Sequence, residues 1–314
     1  MGQQRIAVDF CDWGITYGKT DWPLYHLLRR RFPLEVTDGP DFVFYTHNGD
    51  HHKLHTGVRI FHTAEADQPP DWRVCDYALT PHYIDHPRHL RFPPYTLLFE
   101  PEWLVQAPGE AALIAPQKTK FCAFLSTYRN EKTRLRWNFF DKLSARKRVD
   151  SAGRAGNNVG FDVPFGVENT INFLRPYKFC MAFENKSAPG YVSEKLLLGL
   201  AARCIPIYYG CPRAGEEFNP RRFLNYHDFP SEDALIARIM EIDDDDALYQ
   251  QYLAEPPFHD NRPNPIFDPE YFWKFFDKVF HTPIVPTAAR NAKSWRRLLG
   301  RWTLARRDRP HAPF

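Results

Sequence analysis

Residues 177–212 decide the fold: Tyr177-Lys-Phe-Cys-Met-Ala-Phe-Glu-Asn185, then Gly190-Tyr-Val-Ser-Glu-Lys195, then Ile205-Pro-Ile-Tyr-Tyr-Gly210. Lys178 to Phe183 is a short apolar run, the pattern of a strand covered on both faces. Glu184 to Gly190 is polar and rich in turn formers, so the chain leaves the sheet there. Ser193 stands where an N-cap belongs, ahead of Leu196, Leu197, Leu200 and Ala201 at helical spacing. Ile205 to Tyr209 reads as the next strand. The result is one strand–loop–helix–strand unit of an α/β sheet, with Asn185, Tyr191, Ser193, Glu194 and Lys195 gathered on its loop and helix start. A helix N-terminus presents free N–H groups and partial positive charge. Lys195 in that first turn is misplaced unless an anion such as a phosphate lies opposite it.

Outward from this unit, the same alternation recurs. Arg5–Phe10, Asp41–Thr46 and Val58–Thr63 read as strands, and Pro23–Phe32 reads as a helix. Cys75–Thr80 reads as a further strand, and together these form a first α/β domain. Residues 81–117 hold many prolines and few periodic runs, which predicts a loop-rich return followed by a linker. Lys120–Ser126 opens a second domain as a strand. A helix over Thr133–Leu143 follows, with Leu135, Phe139, Phe140 and Leu143 inward and Arg134 and Arg136 near its start. The glycine-rich Val149–Gly160 is expected to follow a strand but lacks a GxGxxG pattern. Tyr271–Phe280 is an aromatic helix expected to pack back on the first domain. The expected organisation is therefore 1–117, 118–286 and a tail over 287–314.

Composition limits the function. The 314 residues suit two domains of ordinary size, and 25% charged residues with a mean hydropathy of −0.52 describe a soluble globular chain. The net charge of +3 conceals a tail of +7, leaving −4 for residues 1–286, a balance that argues against a nucleic-acid-binding body. In the tail, Trp295, Leu298, Leu299 and Trp302 share one helical face with Lys293, Arg296, Arg297 and Arg301 opposite, a pattern suited to an anionic membrane surface. Six cysteines without CxxC spacing suggest a reducing compartment. No run of about 18 apolar residues occurs, and the N-terminus MGQQRIAVDF reads as neither signal peptide nor anchor. Glu241-Ile-Asp-Asp-Asp-Asp246 reads as a solvated helix boundary, because adjacent aspartates on a regular element do not converge on one ion. His47, His51, His52, His55 and His62 lack zinc spacing and are expected in an acceptor cleft or on the surface.

The run FENKSAPGYVSEK (183–195), with IPIYYG (205–210) and FNPRRFLNYHDF (218–229), resembles the donor-site signature of the family 10 fucosyltransferases. The likeness extends, more weakly, from about Val58 to Phe229, and it is to the soluble bacterial members; animal members carry a membrane anchor. It implies two Rossmann-like domains in a GT-B arrangement, with the site at the carboxyl ends of the strands. The implied reaction is inverting transfer of L-fucose from GDP-fucose, forming an alpha-1,3 linkage to an N-acetylglucosamine-containing glycan. A bacterial surface glycan such as a lipopolysaccharide O-antigen is the expected acceptor.

Such transfer needs a base for the acceptor hydroxyl and cations for the departing diphosphate. Val58-Arg-Ile-Phe-His-Thr-Ala-Glu-Ala66 resembles the family's acceptor-domain motif, which makes Glu65 the implied base, with Asp67, Asp71 or a cleft histidine next in line. Arg136 matches the arginine on the pyrophosphate, and Lys195 is its cationic partner. Glu194 is implied to bind the ribose, and Asn185 and Tyr191 to line the donor pocket. Tyr191 reads equally well as a core ring. No cofactor is required, since GDP-fucose is a substrate. A divalent metal is at most stimulatory, because Arg and Lys supply its electrostatic role. The expected partners are GDP-fucose, an oligosaccharide or glycolipid acceptor and an anionic membrane surface, with no nucleic acid. The expected location is cytoplasmic, peripheral on the inner membrane. Two other readings are a GT-B enzyme using another GDP-sugar and a non-catalytic glycan- or nucleic-acid-binding protein.

Overall fold

A computed structural model describes residues 5–13 and 18–287, so the expected tail beyond Thr287 lies outside the described residues. The chain divides into two compact units. One is built from the residues up to Phe92 together with those from Asp268 on, and the other is Pro93–Phe267. Each is organised on one wholly parallel sheet.

The first unit carries β1 (Ile6–Cys11), β2 (Leu34–Val36), β3 (Phe42–Tyr45), β4 (Val58–His62), β5 (Tyr77–Thr80) and β6 (His89–Arg91), in the order β2-β1-β3-β4-β5-β6. Strands 3 and 5 are apolar along nearly their whole length because both faces are covered. Helix α1 (Pro23–Arg29) starts on a proline and buries Leu24, Tyr25 and Leu28. The expectation for residues 81–117 needs revision, since β6 is a strand within it. His-Leu-Arg is too short and too polar to show a period of two.

The second unit carries β7 (Lys120–Phe124), β8 (Val149–Ser151), β9 (Tyr177–Phe183), β10 (Ile205–Tyr209) and β11 (Leu224–Asn225), in the order β11-β10-β9-β7-β8. Its helices are α2 (Glu110–Ile114), α3 (Arg134–Arg146), α4 (Val167–Leu174), α5 (Glu194–Ala201), α6 (Glu232–Asp244) and α7 (Asp246–Ala254). The glycine-rich segment does not follow a strand; its first three residues are β8. Residues 93–117 pack within this unit. Tyr95 Oη donates to Glu217 at 2.6 Å, and Gln106 N–H donates to Asn261 Oδ1 at 2.9 Å.

The acidic run over 241–246 forms a helix boundary, but it is not uniformly solvated. Asp245 caps α7 by accepting the N–H groups of Ala247 and Leu248. Asp243 is buried, where Lys178 at 3.2 Å and Lys147 neutralise it. A buried carboxylate survives only when paired in this way.

The last helix, α8 (Pro269–His281), starts on Asp268, which accepts the Glu270 N–H at 2.9 Å. Its aromatic face closes the first unit. Phe276 stacks on Phe44 with ring centres 5.8 Å apart, Phe280 meets Phe32 and Phe42 at 5.0 and 4.9 Å, and Phe272 meets Phe92 at 5.2 Å. Arg31 bonds Glu270 and Asp277 at 3.2 and 2.9 Å. Beyond it, the Thr287 N–H and hydroxyl both donate to the buried Asp76 carboxylate, at 2.7 and 2.6 Å.

Candidate active site

The second unit's site grows from the carboxyl end of β9. Because β9 is buried on both faces, the first residue past it, Glu184, enters the loop still 1% exposed. A charge so placed must be satisfied locally. Its Oε1 accepts the Ser193 N–H at 2.8 Å and its Oε2 accepts the Ser193 hydroxyl at 2.6 Å. Close approach of the neighbouring strand end makes this possible, since a Cβ on Gly210 would fall 2.5 Å from Glu184 Cγ. Ser193 in turn caps α5, its Oγ accepting the Lys195 N–H at 3.4 Å. One buried carboxylate thus fixes where the helix begins.

Lys195 lies at the focus of this arrangement. Its Nζ sits 3.2 Å from Glu184 Oε2, 3.0 Å from Glu194 Oε1 and 3.0 Å from Ser193 Oγ. Two carboxylates of the same loop and helix already balance this cation, so, contrary to the expectation from its place in the first turn, no phosphate is needed to account for it. Burial works against its charge, but Glu184 and Glu194 outweigh burial and hold its pKa above the ordinary lysine value. Burial likewise opposes ionisation of Glu194, and Lys195 with the Ser193 hydroxyl outweighs it, so that carboxyl is held below its ordinary value.

Arg136, the third residue of α3, is 6% exposed and reaches the same corner. Its Nη2 donates to Asn185 Oδ1, and burial lowers its pKa while Glu184 and Tyr191 favour its charge. Arg134, two residues earlier, is exposed and ion-pairs with Glu131 at 2.9 Å. Tyr191 is 5% exposed, a core ring as its alternative reading had it, yet it favours the charged form of both Arg136 and Lys195. Arg136, Asn185, Tyr191, Glu194 and Lys195 thus converge on Glu184. Two cations meet two carboxylates, so the corner is formally neutral. Glu184 is the member that sequence reasoning missed; the available signal was an acid directly after a doubly covered strand.

Glu65 belongs to the first unit, three residues past β4 at the carboxyl edge of its sheet. Its side chain is exposed, and its N–H donates to the buried Thr63 hydroxyl at 3.1 Å. Asp71 is a poorer proton acceptor: Arg73 grips it at 2.9 and 2.8 Å, which holds its carboxyl below the usual range. The expected cleft or surface role of the histidines fails for two of them. His52 is buried, stacked on Tyr45 at 3.9 Å and bound through Nδ1 to Asp12 at 2.7 Å. His62 is buried among Trp13, Trp22 and Phe92, and burial pushes its pKa down to about 3. A cavity of about 690 Å³ opens at the opposite, amino-terminal edge of this sheet, lined by Asp38, Asp41, His55 and His281 among others. It shares no residue with either group.

Residues 115–255 match the family model described as glycosyltransferase family 10 (fucosyltransferase) C-term, and residues 8–98 match that of the alpha-(1,3)-fucosyltransferase FucT N-terminal domain. The chain is 28% identical to the alpha-(1,3)-fucosyltransferase FucT of Helicobacter pylori over 75% of its own length and 56% of the relative's. It is 30% identical to human alpha-(1,3)-fucosyltransferase 4 over 65% and 38% respectively. It therefore spans little more than half, or less, of these relatives. Among solved structures, an alpha1,3-fucosyltransferase is similar with a TM-score of 0.76 and 25% identity, covering 90% of this chain and 91% of that one. Anabaena HepE in complex with UDP-glucose shares the fold alone, with a TM-score of 0.52 and 9% identity over 88% and 99% of the two chains. The two-sheet α/β fold class expected from the sequence is thus common to both.

Proposed function

Because the chain belongs to glycosyltransferase family 10, the fucosyltransferases, we propose that it transfers L-fucose from GDP-fucose to a hydroxyl of a glycan acceptor, with inversion and in alpha-1,3 linkage. The single observation that supports this best is the convergence of Arg136, Asn185, Tyr191, Glu194 and Lys195 on the buried Glu184, all but Arg136 lying within the run that resembles the donor signature.

In this reading, the neutral corner is a stored form of the donor site. The diphosphate brings negative charge to Arg136 and to Lys195, which exchanges part of its pairing with Glu184 and Glu194 for phosphate oxygens. The start of α5 adds free N–H groups beside it. Glu194, released in part from Lys195, is free to accept from the nucleotide ribose. Leaving-group charge is then stabilised by fixed cations, as electrostatic catalysis requires. Glu65 takes the proton of the acceptor hydroxyl as fucose is transferred. A divalent metal is not needed for these steps, so chelation with EDTA should leave turnover standing. The acceptor we infer is an N-acetylglucosamine-containing surface glycan of a bacterium, and the basic tail fits retention at an anionic membrane surface beside a lipid-linked acceptor.

The test is GDP release from a panel of GDP-sugars against an acceptor array, with product linkage read by NMR. Acceptor-dependent release from GDP-fucose and an alpha-1,3 product are expected. Turnover only with another GDP-sugar, or GDP-fucose binding without turnover, would replace the proposal.

A further inference from the structure

The loop that carries Glu65 is held from both sides. Upstream, the Glu65 N–H donates to Thr63 Oγ1 at 3.1 Å, and the Thr63 N–H donates to the Leu79 carbonyl at 3.1 Å. Downstream, His82 Nε2 lies 3.0 Å from the Ala66 carbonyl. A carbonyl only accepts, so Nε2 carries a proton and donates to it. His82 Nδ1 is 3.0 Å from Thr80 Oγ1, and that hydroxyl is 2.8 Å from His89 Nε2. A hydroxyl can donate or accept, which lets Thr80 join the two rings. His89 is tied further to the Ile84 backbone, and burial pushes its pKa down to about 4. The chain Ala66–His82–Thr80–His89 therefore runs from the residue after Glu65 to two adjacent strands, β5 and β6, of the sheet beneath. Thr80 is fully buried, so the far end of the latch is rigid.

We propose that His82 is a positioning residue for Glu65, latching its loop to the sheet through the Ala66 carbonyl so that the carboxylate is held ready for the acceptor hydroxyl. This rests on the reading of Glu65 as the base. The Thr63 contact fixes the backbone on one side of Glu65 only. Without the His82 latch, the exposed carboxylate loses the tie at the Ala66 carbonyl, and displacement of a reacting group by about an ångström lowers rates by up to roughly a hundredfold.

The experiment compares His82→Phe, His82→Asn, His82→Gln, Glu65→Gln and the Glu65→Gln/His82→Phe double variant, measuring kcat, KM for both substrates and Tm. His82→Phe should lower kcat about 10- to 100-fold with the GDP-fucose KM unchanged. Gln places an N–H near the Nε2 position and should restore most of the loss. Asn reaches only the Nδ1 position and should not. Glu65→Gln should lower kcat about a hundredfold or more, and the double variant should be no slower than Glu65→Gln alone. A His82→Phe enzyme with wild-type kcat, losses that add in the double variant, or a kcat loss explained by lowered Tm in Phe, Asn and Gln alike would overturn the positioning role while Glu65 stands. Wild-type kcat in Glu65→Gln would instead remove the base, and the latch's purpose with it.

Discussion

A lysine in the first turn of a helix looks electrostatically wrong in the sequence, and the resolution lies in a residue that the sequence does not single out. Glu184 reads as the first polar position of a loop, and only the contacts it makes with Ser193 and Lys195 disclose its role. Its side chain meets residues 9 and 11 positions away, and no local pattern encodes that meeting. The Lys195–Glu194 pair has a titration signature. Glu194 is held below its ordinary carboxylate value, so its ionisation stabilises the fold above that range and the contribution is lost as pH falls through the lower, folded value. Lys195→Met should remove the lysine's share. Its urea midpoint should then fall less steeply than the wild type's as pH drops from the ordinary glutamate value to below it, and equal slopes would count against the pairing. Arg222 poses the opposite problem. It is 0% exposed, no nitrogen of its guanidinium has a hydrogen-bond partner among the described residues, and burial lowers its pKa to about 10. Its neighbour Arg221 is exposed and pairs with Glu255 at 3.2 Å, a difference invisible in Asn-Pro-Arg-Arg-Phe. Arg222→Met should be neutral or stabilise by about 1–4 kcal/mol in chemical unfolding. Destabilisation by several kcal/mol would reveal a counter-charge, for which Tyr249 and, after it, Cys204 are the candidates if ionised, since both favour the arginine's charge.

At the scale of elements, legibility followed length and covering. Strand β9, helix α5 and strand β10 could be read directly, because a doubly covered apolar run and a capped amphipathic turn leave strong patterns. Strands β2 and β6, three residues each and mixed in polarity, could not. Their place is set by neighbours in the sheet and not by their own side chains. The end of the described chain makes a further point. Thr287 supplies two hydrogen bonds to Asp76, whose other oxygen accepts the Arg59 N–H at 3.0 Å. A chain ending at Pro286 loses both donors and leaves a buried carboxylate short of partners. It should be about 1–3 kcal/mol less stable than a chain ending at Thr287, as thermal unfolding would register. Equal stability of the two would argue that Asp76 is satisfied without Thr287. The comparison also isolates the tail, because only the chain ending at Thr287 tests liposome retention without a folding defect.

For the molecule as a whole, the division of labour is unequal. Every residue proposed to hold the donor lies within Pro93–Phe267, an unbroken stretch of sequence, whereas the proposed base lies in the other unit. Residues 93–267 produced alone should fold and bind GDP-fucose within about tenfold of the full chain by calorimetry, and should turn over nothing. Failure of the isolated unit to bind, while folded, would place part of the donor site elsewhere. The first unit has no such independence, because α8 is needed to cover Phe44, Phe32 and Phe42. That closing helix has a cost in time. About 190 residues separate Phe92 from His281, so on a ribosome adding roughly 5–20 residues per second the half begun first waits about 10–40 s for its last helix. During that interval its aromatic face is bare while the later half is still being made, and a nascent chain in this condition is a natural client for a chaperone.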